Sequence, residues 1–72
     1  MQRINNDHTN GNIWHDAAEN ITVFEDNQDP DVLQFYAWRG TFADHDTAKH
    51  SPVFVTLAEA AAYIRENDVR AT

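Results

Sequence analysis

The chain has 72 residues, 42% of them apolar and 24% charged, with 12 Asp and Glu against 5 Lys and Arg and no cysteine. A chain of this length supports one hydrophobic core and buries only about 60% of its unfolded surface, which leaves little room for a deep catalytic cleft. The lack of thiols excludes a disulfide scaffold, thiol catalysis and cysteine-based zinc modules, and no apolar run approaches the roughly 18 residues of a membrane span.

Residues 1–12 hold six Asn, Asp and Gln and almost nothing apolar, which reads as a flexible polar tail ahead of a single small domain, residues 13–72. Its first seven residues lack the apolar stretch of a secretory signal, so a cytoplasmic protein with no membrane partner is expected. Ile13-Trp14-His15 reads as a short edge strand or a strap that lays Trp14 on the core, and Asp16 to Asn20 as a turn. Ile21 to Glu25 alternates and is rich in β-branched and aromatic residues, the pattern of a strand. Asp26 to Asp31 combines Asx side chains with Pro30 and reads as a hairpin connection.

Val32 to Trp38 is the longest predicted strand, and both of its faces are apolar. One carries Leu33, Phe35 and Ala37, the other Val32, Gln34, Tyr36 and Trp38. Leu33 and Phe35 are expected inside, because Tyr and Trp carry a polar handle that tolerates a half-wet position. Gly40 marks a bulge or bend, Ala43 to Ser51 a flexible polar loop, and Val53-Phe54-Val55 an edge strand behind Pro52. Thr56-Leu57-Ala58-Glu59 matches a capping box and opens a helix from Leu57 to about Asn67, with Leu57, Ala60, Ala61 and Ile64 on one stripe. The fold class is therefore α+β, a three-stranded or four-stranded antiparallel β-meander with one C-terminal helix packed on one face.

The charge is lopsided. Between Arg3 and Arg39 there are seven acids and no Lys or Arg, whereas the other five acids are matched by the five basic residues. Such a surface disfavours direct binding of nucleic acid, whose phosphates draw on Lys and Arg, and favours a protein with a basic surface. The candidate partner-binding residues are Glu25, Asp26, Asp29 and Asp31 in the acidic turn, with Tyr36 and Trp38, joined by Phe24, as aromatic anchors on the uncovered sheet face. Acidity that serves only solubility, adaptation to a saline cytoplasm, or an N-terminal strap that stacks Trp14 over those rings would each remove that role.

Asp44, His45, Asp46 and His50 offer imidazole and carboxylate ligands, so a metal-responsive domain built on His45, Asp46 and His50, with His8 or His15 added, is an alternative. The run has no recurring metal-ligand motif and reads more simply as a solvated loop without a cofactor. Ser51 is the sole serine, lacks a glycine elbow and is followed by Pro52, and Gly11 and Gly40 alone cannot build a phosphate loop. The expected function is a non-enzymatic, acidic binding module, monomeric or at most dimeric through its 53–55 edge or its aromatic face. In its sharpest form it inhibits a nucleic-acid-binding protein by imitating the charge of nucleic acid. A small regulatory subunit of the antitoxin kind is a further alternative.

Overall fold

A computed structural model describes residues 1–4, 11–26, 29 and 31–67. Four strands run in chain order as an antiparallel meander: β1 (Gln2–Ile4), β2 (Gly11–Asp16), β3 (Ile21–Asp26) and β4 (Gln34–Arg39). A single helix, α1 (Leu57–Asn67), follows. The α+β class and the C-terminal helix agree with the sequence pattern. Residues 2–4 were expected in a mobile tail, and instead pair with β2 through Gln2 with His15, Arg3 with Trp14 and Ile4 with Ile13. Three residues are enough for an edge strand when a neighbour supplies the hydrogen bonds, although their own side chains stay exposed. Residues 11 and 12 of the expected tail instead open β2, and residues 5–10 lie outside the described residues.

Strand alternation sorts the side chains onto two faces. On the helix face, Ile21 and Val23 of β3 and Phe35 and Ala37 of β4 pack against Ala60, Ala61 and Ile64, with Trp14, Phe54, Leu57 and Tyr63 at the margin. The alanines of α1 bring its axis close to β3 and β4. Thr56 caps the helix, its Oγ1 accepting from the Glu59 N–H at 3.2 Å while its hydroxyl donates to Glu59 Oε1 at 3.0 Å. Trp14 belongs to this face, with its ring 6.0 Å from that of Phe35, so it is not the lid over Tyr36 and Trp38 that a strap would have made.

Beyond β4 the chain turns at Gly40, whose φ of +132° is open to glycine and closed to other residues. A Cβ there would stand 2.5 Å from Asp44 Oδ2. The same carboxylate oxygen accepts the Thr41 N–H at 2.8 Å and the Thr41 hydroxyl at 3.2 Å, fixing a short 3-10 turn over Phe42–Asp44. Residues 45–50 then cross the second face and deliver Ser51 to the outer side of β4. There the Ser51 N–H donates to Ala37 O at 2.8 Å and Ser51 Oγ accepts the Ala37 N–H at 2.9 Å. Phe54 exchanges two backbone hydrogen bonds with Phe35, at 2.7 and 2.8 Å, a single antiparallel bridge to β4 in place of the edge strand expected over 53–55.

Candidate functional site

The second sheet face is covered, and this corrects the central structural expectation drawn from the sequence. Trp38 is 0% exposed and Tyr36 is half-buried. Their cover is the loop read as solvated: the His45 ring lies 5.1 Å from Trp38, the His50 ring 5.1 Å from Tyr36 and 5.2 Å from Trp38, and Phe42 stacks toward Phe24 at 6.4 Å. With Ile13 and Thr22, both fully buried, these rings make a second small core. The physical reason is economy of apolar surface. A sheet with one helix leaves its other face wet, and the aromatic loop that follows β4 is near enough to close it.

Polar atoms in this layer are matched in pairs. Thr22 Oγ1 donates to Gly40 O at 2.6 Å and therefore accepts from His15 Nδ1 at 2.9 Å, which places the proton on that nitrogen. The indole N–H of Trp38 donates to Thr41 O at 2.9 Å. His45 Nδ1 donates to Asp46 Oδ1 at 3.1 Å, leaving Nε2 to accept the Tyr36 hydroxyl proton at 2.9 Å. Burial first, and the Asp26 carboxylate second, push the Tyr36 phenol above its usual value of 10.0.

This geometry also engages the candidate metal ligands with one another. Both ring nitrogens of His45 are engaged, and His50 Nε2 donates to His45 O at 2.7 Å. Among the described residues no three His, Asp or Glu side chains gather as a possible ligand set. His45, Asp46 and His50 are thus neighbours that latch a loop to a sheet. A shallow, open hollow near the N-terminus is bordered by Met1, Ile4, His15 and Asp16, but His15 is bonded to Thr22 and Asp16 caps the turn that follows it. Ser51, the lone serine, is spent on β4.

The acids divide between the two ends of the sheet. At the end bearing the β2–β3 turn, Asp16 Oδ1 accepts the Ala18 and Glu19 N–H groups at 3.0 and 3.3 Å, and Asn20 takes the left-handed conformation at φ 53°. Arg65 of α1 reaches Glu19 at 2.8 Å and Asp16 at 3.8 Å. Arg39 joins them, donating to Glu19 O at 2.7 Å. Two bases therefore sit with two acids, an arrangement invisible in the sequence because 46 residues separate Arg65 from Glu19.

The opposite end carries the four candidate acids. Glu25 and Asp26 close β3, opposite Phe35 and Gln34 of β4. Glu25 accepts from Asn12 Nδ2 at 2.7 Å, and Asn12 in turn accepts from the Arg3 guanidinium. Asp29 Oδ1 accepts the Asp31 N–H at 3.0 Å and Asp29 O the Val32 N–H at 3.2 Å, which ties Asp29 to Asp31 and Val32 and leaves the Asp29 and Asp31 carboxylates exposed. Val32 and Leu33 fall outside the predicted strand, which starts instead at Gln34. Phe35 is buried as expected, but Leu33 is 58% exposed: β3 ends opposite Gln34, so no side chain of that strand lies across from it.

The structure thus brings Glu25, Asp26, Asp29 and Asp31 to one end, puts Tyr36 beneath a loop and seals Trp38 from contact. No family model, curated protein or solved structure matches the chain. Sequence reading placed Leu33 inside and took the 53–55 edge only as a dimer contact, whereas Leu33, Val53 and Val55 all stand exposed. Their signal was available in part, since a 53–55 edge strand that buries Phe54 must turn its two valines the other way.

Proposed function

We propose that this chain is a small acidic protein-binding module whose partner presents a basic surface of the kind that binds nucleic acid. The observation that carries this reading is the separation of charge. At one end of the sheet Arg65 pairs with Glu19 and Asp16 and Arg39 donates to the Glu19 carbonyl, while the part-buried Glu25 and Asp26 and the exposed Asp29 and Asp31 lie at the other, where Arg3 reaches Glu25 through Asn12. Four carboxylates clustered at the end of a small rigid sheet steer a basic protein into contact and set its orientation. In the sharpest form of the proposal the module competes with nucleic acid for the partner's cationic face and so inhibits it.

The anchors first assigned to Tyr36 and Trp38 have no part in this reading, since Trp38 is out of reach. The test is capture from cell lysate at low salt, followed by direct titration of each captured basic protein with the wild type and with Asp26→Asn, Asp29→Asn, Asp31→Asn combined. The amide introduced by Asp29→Asn keeps a side-chain oxygen able to accept the N–H of residue 31, so the turn survives the change. The proposal expects salt-sensitive affinity that falls at least tenfold in the variant and an added oligonucleotide that displaces the module. Equal affinity for both proteins at every salt concentration would refute it.

A further inference from the structure

We infer that the basic partner docks an apolar segment on the sheet edge formed by Val32, Leu33, Val53 and Val55; the inference rests on the reading of an acidic module given above. Of the six large hydrophobic side chains exposed among the described residues, these are four, at 46%, 58%, 58% and 60%, and the other two, Met1 and Ile4, lie at the N-terminus. Isolated apolar residues on a surface are ordinary, but these four come from two segments held side by side. The reciprocal hydrogen bonds between Phe35 and Phe54 fix that juxtaposition. Stepping out from this pair, Val55 comes opposite Gln34, and Val53 opposite Tyr36, at the neighbour spacing of about 5 Å between strands. Phe54 packs on the helix-face core, so Val53 and Val55 project to the other face. Val32 and Leu33 immediately precede Gln34, the residue that Val55 faces, and extend the exposed apolar stretch at that end of β4.

Charge complementarity identifies the occupant. The two segments that meet here, residues 25–38 and 51–64, contain five acids, Glu25, Asp26, Asp29, Asp31 and Glu59, and no Lys or Arg. An apolar edge on segments that carry acids and no bases selects a protein segment that carries both basic and apolar side chains. The apolar side chains supply contact area and the bases supply steering and register. A purely cationic ligand would use only half of the surface, and a neutral apolar one would gain nothing from the acids.

The discriminating experiment titrates the full chain with two fluorescently labelled peptides of equal net charge, one of Lys and Leu and one of Lys and Ser, at low and moderate salt. The wild type is expected to bind the Lys/Leu peptide on the order of tenfold more tightly, from removal of the apolar corner from water. Val53→Ser with Val55→Ser should abolish that preference while leaving Lys/Ser binding unchanged. Val32→Ser with Leu33→Ser, changed ahead of β4 and not on the 53–55 segment, supplies the same readout should the first pair unfold. Equal binding of both peptides by the wild type, or a preference that survives both variants, overturns the inference while salt-sensitive binding of both peptides leaves the acidic reading standing. Failure of both peptides to bind at low salt removes the acidic reading and the inference together.

Discussion

Ser51→Ala removes one hydroxyl, and its cost can be worked from the geometry. Ser51 Oγ accepts the Ala37 N–H at 2.9 Å and donates to Pro52 O at 2.8 Å, and both Ser51 and Ala37 are buried. Alanine leaves a β4 amide without its acceptor in a place water does not reach, a loss of about 1–3 kcal/mol. A domain of this length has a total stability of about 4–10 kcal/mol, so the change consumes a sizeable fraction of it. Each lost kcal/mol lowers Tm by about 4–8 °C at this size. Urea denaturation followed by circular dichroism should show a lower midpoint with an unchanged slope, since the surface exposed on unfolding is the same. A loss below about 0.5 kcal/mol would mean that water reaches the Ala37 amide. Residues 51–54 would then not lie along β4, and the path of the loop over Trp38 would be wrong.

Gly40→Ala forces a Cβ to 2.5 Å from Asp44 Oδ2 at φ +132° and should cost about 1–3 kcal/mol, with more Trp38 exposed to acrylamide quenching; unchanged stability would contradict the described turn. The raised Tyr36 phenol gives an alkaline signature: the folded state holds this proton more tightly, so its stabilising contribution is full below pH 10 and is lost as pH rises through the raised value. Tyr36→Phe should therefore flatten the decline of the urea midpoint above about pH 10, and parallel declines in the two proteins would exclude this origin. Arg65→Gln should cost at most about 1 kcal/mol, because Arg65 and Glu19 are both partly exposed, and that cost should shrink in high salt; a salt-independent loss would point to packing and not charge.

The elements with local causes were legible in the sequence. The β3 alternation and the Thr56–Glu59 cap specify their structures within a few residues, and both stand where the pattern put them. β1 was hidden because Gln2-Arg3-Ile4 has no apolar pattern of its own and is held by its pairing with β2. The acidic turn was visible as a turn, but its end point was not, since the Val32 N–H bond to Asp29 O decides where β4 begins. The covered aromatic face was the larger miss. Thr41-Phe42-Ala43-Asp44 carries the S/T-x-x-acid spacing of a cap, and His45 and His50 are flat amphipathic rings able to close an aromatic layer, yet a polar composition reads as solvent-exposed. Which rings lie above Trp38 follows from the reversal at Gly40 and the anchoring of Ser51 on β4, both long-range consequences of the sheet.

The most direct measurement is an amide and indole chemical-shift titration of the isotope-labelled chain with the Lys/Leu peptide. Perturbations are predicted at residues 25–33 and 53–55, while the Trp38 indole N–H, bonded to Thr41 O under the loop, stays in place. Shifts centred on Trp38, Tyr36, His45 and His50, with the acidic end unmoved, would place docking on the aromatic face and contradict the acidic-edge reading.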